Sequence, residues 1–307
     1  MADSNYDVIV IGAGITGLAA ACFTARKGLK TASIEVSIFG GLVININELE
    51  GNVAGSGADL ASSLMMEIAE LGVESLSEEV THISREADRL VVKTDAGSYR
   101  ARAVIIASGA TLKPLGVPGE AEFENKGISH CADCDGPLYR GQEVVVVGGG
   151  DSALQEALVL SRTCKLVYLV HRRESFRARQ HFVDAVNACD NIIPVWGSVV
   201  ETIIGGDSVE KIRVRNVATS AVSHIPCSGV FTYIGLQPAC DFAPKELGRD
   251  AMGFLITDPS LQTEMLGLFA AGAARAGYGG QLLHANAEGE AAGLAASLLL
   301  AVDSEVM

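Results

Sequence analysis

A glycine pattern after the first apolar run constrains the fold more than any other feature of this sequence. Residues 6–11, YDVIVI, form a short continuous run that is typical of a buried parallel strand. Gly12, Gly14 and Gly17 follow in the spacing G-x-G-x-x-G, then a helix-forming segment, then a second strand-like run that ends at Glu35. This order of strand, glycine turn, helix, strand and acid predicts a doubly wound α/β unit.

Each part of that pattern has a chemical purpose. The first glycine allows a tight turn, the second lets the backbone approach a pyrophosphate, and the third lets the helix pack closely on the strand. The start of the helix presents free N–H groups to an anion, and Glu35 falls where a carboxylate accepts hydrogen bonds from a ribose hydroxyl. A G-x-G-x-x-G motif alone is weak evidence for nucleotide binding. Together with the strand before it, the helix after it and the acid at Glu35, it predicts a dinucleotide site.

The pattern recurs in the middle of the chain. A strand-like run at residues 143–147 leads into a G-x-G-x-x-A turn and another helix. The next strand ends in basic residues instead of an acid, and arginines favour a 2′-phosphate, which they bind with charge-assisted hydrogen bonds. In a chain of net charge −14 this cluster favours NADPH, with a solvated basic face as the alternative. The residues of this second site are Gly148, Gly150, Asp151, Ser152, Ala153, His171, Arg172, Arg173 and Arg177, with Arg179 just beyond.

Length, charge and cysteine count limit the class of protein. A chain of 307 residues is long enough for two domains. The net charge of −14 argues against nucleic acid or an anionic membrane as a partner, because both would be repelled over most of the surface. The first seven residues carry no lysine or arginine and no apolar run is long enough to cross a bilayer, so we expect a cytoplasmic protein. An odd count of seven cysteines argues against a disulfide framework.

Strand and turn signals predict how the domains are connected. Two strand-like runs flank a turn at residues 95–97, and a second hairpin is expected at residues 208–226. The segment LKPLGVPGE predicts a crossing into a second domain, and the tail of the chain, with a glycine-rich loop and a long helix, is expected to pack back on the first. We therefore predict an α/β fold with two Rossmann-like domains, residues 1–114 with 239–307 and residues 115–238, the second inserted in the first.

The stretch HCADCDGP places Cys131 and Cys134 three positions apart, with Asp135 directly after them. A zinc site needs about four ligands, and no second Cys-x-x-Cys or histidine pair is spaced to supply them, so we predict no metal. A structural disulfide does not fit a reducing compartment. Redox catalysis fits best, because the thiolate of a Cys-x-x-Cys pair is tuned by its neighbours; two dinucleotide sites in one chain also fit electron transfer.

The chain resembles, in order along nearly its whole length, the low-molecular-weight thioredoxin reductases and their relatives, including the flavoprotein part of alkyl hydroperoxide reductase. The motifs that carry the likeness are VIVIGAGITGLAAA, VIIASGA, HCADCDGPLYRGQEVVVVGGGDSA, LVHRRESFRA and LFAAG. The resemblance implies FAD in the first domain, NADPH in the inserted one, and a homodimer. It also implies that Cys134 lies nearer the flavin, that Cys131 attacks the disulfide of the partner, and that Asp135 shuttles a proton, although a helix cap is the other use of an aspartate there.

The residues expected to bind FAD include several departures from the family pattern. The family's Gly-Asp is Gly272-Ala273 here, its Arg-Gln-Ala is Gly280-Gln281-Leu282, and the glutamine that usually follows the Gly-Gly pair is Leu42. Loss of these polar groups predicts weaker FAD binding, a shifted flavin potential or a different substrate. The expected FAD-binding residues are Gly12, Gly14, Gly17, Glu35, Gly41, Leu42, Ser108, Gly109, Gly272, Ala273, Gln281 and Leu282.

Three functions are compatible with these patterns. The leading prediction is a NADPH-dependent flavoprotein disulfide reductase that acts on thioredoxin or a thioredoxin-like protein. The first alternative is a flavin-dependent dithiol oxidase of a small molecule, which would not need the intact GGGDSA and HRR motifs. The second is a redox-sensing flavoprotein without catalysis. Its only support is the altered segment from Gly272 to Leu282, where polar residues of the family pattern are missing.

Overall fold

The chain folds as two compact units. The structure is a computed structural model that describes residues 4–45, 55–280 and 282–305. Unit 1 comprises Met1–Thr111 and Gln237–Met307, and unit 2 comprises Leu112–Leu236. The sequence analysis predicted that the chain enters the second domain between residues 114 and 115 and returns to the first between residues 238 and 239.

The secondary structure of the described residues alternates strands and helices in both units. The strands are β1 (Ser4–Ile11), β2 (Thr31–Ile34), β3 (Glu74–Leu76), β4 (Val80–Glu86), β5 (Arg89–Thr94), β6 (Ser98–Ile106), β7 (Ala110–Leu112), β8 (Ile128–Ser129), β9 (Glu143–Gly148), β10 (Leu166–Val170), β11 (Ile192–Val195), β12 (Ser198–Gly205), β13 (Val209–Asn216), β14 (Val222–Pro226), β15 (Gly229–Tyr233), β16 (Leu236–Pro238) and β17 (Leu268–Ala270). The helices are α1 (Ile15–Arg26), α2 (Gly57–Glu70), α3 (Ala132–Asp135), α4 (Asp151–Ser161), α5 (Gln180–Asn187) and α6 (Leu282–Glu305), with 3-10 turns at Gly41–Asn45, Gly136–Tyr139 and Gly272–Ala274. In the part of the chain that the structure describes, none of the helices has the length and apolar character needed to cross a membrane.

Unit 1 is built on a sheet in the order β3-β2-β1-β6-β5-β4, with β17 paired to the second half of β6. The apolar run of β1 is buried on both faces, as a central parallel strand requires. Its last residue, Ile11, is in register with Ile34 of β2 and Ile106 of β6, and all three strands are parallel. The residues that follow these strands therefore meet at one edge of the sheet.

Small residues bring α6 against α1 in unit 1. A side chain at Gly289 would overlap the carbonyl oxygen of Thr16, and one at Gly293 would lie 2.9 Å from the Cβ atom of Phe23. Glycines at these two positions of α6 thus allow the backbones of the two helices to approach closely. The opposite face of α6 carries exposed apolar side chains, which are considered below.

Unit 2 is built on a fully parallel sheet in the order β11-β10-β9-β15-β8, beside an antiparallel sheet of β12, β13 and β14. Val147 of β9 pairs with Val170 of β10, and Gly148 pairs with Tyr233 of β15. The central strand β9 therefore delivers its glycine turn between the ends of β10 and β15. Such a position outside the carboxyl ends of parallel strands is where doubly wound sheets bind ligands.

Both predicted hairpins are confirmed. The turn at residues 95–97 joins β5 to β6, and β13 and β14 form the second antiparallel pair. The strand expected to end at Ser108-Gly109 instead ends at Ile106. The next residues leave the sheet, and Gly109 has a positive φ of 70°.

Candidate active site

The first glycine turn is shaped by backbone contacts that exclude side chains. Gly12 has a φ of 102°, and a Cβ atom there would overlap the carbonyl oxygen of Ala107. A Cβ atom on Gly17 would overlap the carbonyl oxygen of Gly12, so this glycine sets the distance between α1 and the turn. A Cβ atom on Gly14 would meet only the carbonyl oxygen of Gly40, at 3.9 Å, so the space above this residue is open.

Glu35 is fixed beside this turn. Its two carboxylate oxygens accept hydrogen bonds from the N–H groups of Ala13 and Ser37, each at 2.9 Å. The side chain is thus held at the edge of the sheet where β1 and β2 end. A carboxylate keeps lone pairs free after accepting one hydrogen bond on each oxygen, so Glu35 can still accept from a ribose hydroxyl.

The surroundings of the turn fit a dinucleotide. The N–H groups at the start of α1 have no side-chain cap, and Ser108 has a buried hydroxyl oxygen without a hydrogen-bond partner among the described residues. A buried hydroxyl of this kind costs free energy until a ligand satisfies it. Gly40 and Gly41, both with positive φ, approach the turn through the hydrogen bond from Gly40 N–H to Ala13 O at 2.6 Å.

The glycine loop after β17 reaches the same edge. Gly272 has a φ of 66°, and a Cβ atom there would overlap the hydroxyl of Thr16 on α1. Its N–H group donates to Glu288 Oε2 at 2.8 Å, and the same oxygen accepts from Arg275 Nε at 2.9 Å. Sequence patterns did not indicate Thr16, Arg275 or Glu288, because these contacts join residues far apart in the chain.

The departures from the family pattern fall in two segments of the chain, at Leu42 and at residues 273–282. Ala273 lies in the 3-10 turn directly after β17 and offers no polar side chain. Leu42 has an exposed side chain next to Gly41, and Leu282 packs against the small apolar cluster of Ile15 and Val43. Gln281 lies outside the described residues.

The second glycine turn also depends on close approach. A Cβ atom on Gly148 would overlap the carbonyl oxygen of Tyr233, and one on Gly149 would overlap the ring of His171. Gly150 has nothing within 4 Å of its Cβ position, so the turn is open at the start of α4. Ala153 is fully buried, as the last position of the motif requires for helix packing, and Ser152 beside it is exposed.

Exposed arginine side chains follow the strand next to this turn. Arg172, Arg173 and Arg177 are exposed, and no described residue forms an ion pair or a side-chain hydrogen bond with any of their guanidinium groups. Arg179 differs, because its Nε donates to Asp151 Oδ2 at 2.6 Å. The backbone N–H and guanidinium of Arg179 hold the pKa of Asp151 below its usual range. The predicted basic cluster therefore contains three unpaired arginines and one that belongs to an ion pair.

His171 is buried against the second glycine turn. It is 6% exposed, and its Nε2 atom is buried without a partner among the described residues. Burial lowers the pKa of His171, and the positive charges of Arg177, Arg173 and Arg172 lower it further, so the imidazole is neutral at pH 7. The ring packs against Gly149, which fixes the shape of the turn.

The two cysteines of the C-x-x-C form a disulfide with Cα atoms 5.3 Å apart. Cys131 caps α3 and is half-buried, whereas Cys134 is exposed. The N–H group of Cys134 donates to the sulfur of Cys131 at 3.2 Å. No group of three His, Cys, Asp or Glu side chains within residues 4–45, 55–280 and 282–305 is arranged to hold a metal ion.

Asp135 is held by a residue that the sequence patterns did not indicate. Ser129 Oγ donates to Asp135 Oδ2 at 2.7 Å and accepts from the N–H group of Cys131 at 3.2 Å. Ser129 is 3% exposed and ends β8. The only sequence signal for this contact was a serine two residues before the first cysteine. The contact itself depends on the turn of α3, which brings Asp135 back to Ser129.

Two glycine turns at the ends of parallel strands, with a C-x-x-C disulfide between them in the sequence, define a nucleotide-dependent disulfide oxidoreductase. A family model described as pyridine nucleotide-disulphide oxidoreductase matches residues 6–291. The chain therefore belongs to this family. It is a flavoprotein enzyme that uses FAD and NADPH, and the predictions of fold class, family and cofactors are confirmed.

Named relatives cover nearly the whole chain. The thioredoxin reductase of Treponema pallidum is 36% identical over 300 residues, which are 96% of this chain and 97% of the relative. The thioredoxin reductase of Listeria innocua is 37% identical over 294 residues, 94% of this chain and 92% of the relative. The crystal structure of Lactococcus lactis thioredoxin reductase has a TM-score of 0.88 at 35% identity and covers 96% of this chain and 99% of that one.

Proposed function

We propose that this chain is a NADPH-dependent disulfide reductase whose electron acceptor is thioredoxin or a thioredoxin-like protein. The observation that carries the proposal is the Cys131–Cys134 disulfide with its hydrogen-bonded neighbour Asp135, in the same unit as the unpaired arginines. The relatives named thioredoxin reductase, which match over almost their full length, support the choice of acceptor.

The two units would divide the cofactors between them. FAD would bind residues 1–114 with 239–307, and NADPH would bind residues 115–238. When bound, the cofactors supply a hydride donor and a carrier that delivers two electrons to a disulfide. Gly12 and Gly17 keep the turn tight, and the open space above Gly14 would admit a pyrophosphate. The buried hydroxyl of Ser108 would hydrogen-bond to the cofactor, and the Glu35 carboxylate would accept from a ribose hydroxyl. In the second unit the guanidinium groups of Arg172, Arg173 and Arg177 would bind a 2′-phosphate.

The chain's own chemistry is thiol–disulfide exchange. The Cys131–Cys134 disulfide takes up two electrons and two protons and becomes two thiols. Asp135, oriented by the Ser129 hydroxyl, would take up a proton from solvent and pass it to the departing thiolate. The Cys131 thiolate then attacks the acceptor disulfide to form a mixed disulfide. Cys134 attacks Cys131 in turn, which releases the acceptor as a dithiol and restores the starting disulfide.

An anaerobic titration tests this function. Purified protein with bound flavin is titrated with NADPH and separately with NADH while flavin absorbance is recorded, and oxidised thioredoxin is then added. Bleaching by NADPH and recovery on adding thioredoxin is the expected result. Bleaching without recovery would contradict thioredoxin as the acceptor. No bleaching by NADPH would instead favour the oxidase or the sensor, which the unpaired arginines disfavour.

We infer a homodimer from the free face of α6. Leu294, Leu298 and Val302 recur every four residues and are 44%, 59% and 62% exposed, so they lie on one face of the helix. Ala287, Ala291 and Ala301 are also exposed along α6. Such a contiguous apolar face marks an interaction surface, and a second copy of the chain is the partner that the family resemblance implies.

Leu298→Asp is expected to convert the dimer into a monomer. A carboxylate at the centre of an apolar interface loses its hydration without gaining a partner, which strongly disfavours association. The measurement is the molar mass in solution, expected to be twice the 31.9 kDa of the chain for the native protein and 31.9 kDa for the variant. Met252→Asp, at an exposed apolar position outside α6, is the matched control and should remain dimeric. A native protein that is monomeric would contradict the inference.

We place the enzyme in the cytoplasm. The five cysteines outside the disulfide are all free, four of them buried, as expected in a reducing compartment. Burial raises the pKa of Cys22 to about 11 and that of Cys227 to about 12, so these thiols stay protonated and unreactive at neutral pH.

A further inference from the structure

A half-buried carboxylate is hydrogen-bonded to the residue that follows Cys131 of the redox-active disulfide. Glu156 of α4 accepts hydrogen bonds on one oxygen, Oε2, from the N–H group of Ala132 at 2.9 Å and from the Tyr233 hydroxyl at 3.1 Å. Ala132 is fully buried and Tyr233 is 9% exposed. Within the part of the chain that the structure describes, no lysine, arginine or histidine forms an ion pair with Glu156. Burial raises the pKa of this carboxyl, and the charge of Asp133 adds to the effect.

The position of Ala132 gives this contact its chemical meaning. Ala132 follows Cys131 directly, so its N–H group belongs to the short backbone segment that joins the two cysteines. Glu156 occupies that donor. Among the described residues, the sulfur of Cys131 accepts one hydrogen bond, from the N–H group of Cys134. A thiolate formed on Cys131 would thus have one backbone donor fewer and a carboxylate nearby.

Other charged and polar groups surround the redox centre from each neighbouring element. Asp133 and Asp135 lie on α3, and Ser129 on β8 holds Asp135. His130, directly before Cys131, contacts Thr232 Oγ1 through Nδ1 at 3.1 Å and Glu124 through Nε2 at 3.3 Å. From β15, the Tyr233 hydroxyl donates to Glu156.

We propose that Glu156 is a positioning residue that tunes the Cys131–Cys134 couple and makes its dithiol a stronger reductant. The proposal rests on the function proposed above. Reduction converts the disulfide, two electrons and two protons into two thiols, one of which ionises to the thiolate that attacks an acceptor. When ionised, the Glu156 carboxylate, which is hydrogen-bonded to the residue after Cys131, disfavours the thiolate and therefore the reduced state. The reduced pair consequently passes its electrons on more readily.

Glu156→Gln tests the charge while keeping the hydrogen-bond acceptor. The glutamine amide oxygen can still accept from Ala132 and Tyr233, so a purely structural contribution is preserved. The full-length flavoprotein is equilibrated in dithiothreitol buffers of defined ratio, trapped with an alkylating reagent and analysed by mass. We expect the ratio of dithiol to disulfide to rise about tenfold over the native protein, and alkylation of Cys131 at pH 7 to be faster. A ratio within about twofold of the native one, or a shift toward the disulfide, would overturn the proposal.

Two further variants keep the test decisive. Asp133→Asn removes an exposed carboxylate from α3 that forms no hydrogen bond with the N–H group of Ala132, and should shift the ratio much less than Glu156→Gln. Tyr233→Phe frees the carboxylate from its second donor and should shift the ratio in the opposite direction, because the negative charge is less well neutralised; it is also the substitute if the glutamine variant fails to fold. The chemical reductant makes this readout independent of NADPH and thioredoxin, so its failure is distinguishable from failure of the proposed function.

Discussion

Replacing Cys131 by serine is expected to abolish disulfide reduction and to leave flavin bleaching by NADPH intact. The serine hydroxyl cannot form the disulfide with Cys134 and is a poor nucleophile at neutral pH, so turnover with thioredoxin should fall by at least about 1,000-fold. The measurement combines steady-state reduction of thioredoxin with an anaerobic flavin titration on the same preparation. The two readouts separate the part of the chain that receives electrons from the part that passes them on.

Cys189→Ser is the matched control for this variant. Cys189 is a free, half-buried thiol of the same unit, and its replacement should leave turnover near the native rate. Full reduction of thioredoxin by the Cys131→Ser protein would refute the proposed order of electron transfer. Loss of flavin bleaching in that protein would show that the substitution disturbs more than the disulfide.

The second large effect is expected at the basic cluster. Changing Arg172 and Arg173 together to alanine removes two exposed guanidinium groups that have no protein partner in the described chain. Because hydrogen bonds between charged groups contribute more than neutral ones, kcat/KM for NADPH should fall about 100-fold while that for NADH changes little. Initial rates of flavin reduction with each nucleotide measure the two constants.

A basic residue elsewhere in the same unit provides the comparison. Arg162, exposed at the end of α4, should be replaceable by alanine without changing the preference between the nucleotides. An equal loss with NADH and NADPH in the double variant would mean that the arginines support the fold of the turn and do not bind a 2′-phosphate. Salt should weaken NADPH binding to the native protein in the same direction as the substitution.

Local patterns predicted most of the site because the residues concerned are consecutive or follow a strand. The turn at Gly12–Gly17 and the Cys131–Cys134 pair are each complete within a few residues. Glu35 directly follows β2, and the parallel pairing of β2 with β1 brings it to the first turn. The order of the two strands in the sequence was enough to predict this. Ser129, Glu156 and Glu288 were missed, since each makes its contact through a turn or a neighbouring helix that periodicity does not reveal.

The departures from the family pattern also show that sequence patterns do not reveal contacts between distant parts of the chain. Sequence comparison indicated which polar groups are absent at Leu42 and Ala273, but not that Glu288 accepts the N–H group of Gly272. That contact depends on where α6 crosses the end of β17, a tertiary arrangement. The third strand β12, paired with β13 beside the predicted hairpin, was missed for a similar reason.

The glycines at the contact of α1 and α6 tie the far end of the chain to its beginning. Gly289 lies directly over the Thr16 carbonyl, in the first turn of α1 and only two residues after Gly14. Any bulk added there must push against the backbone whose N–H groups are proposed to bind the cofactor. With the flavin at the proposed site, its affinity is therefore expected to depend on a helix about 270 residues downstream, and the same helix carries the proposed dimer face. Assembly and cofactor retention are thus expected to be selected together.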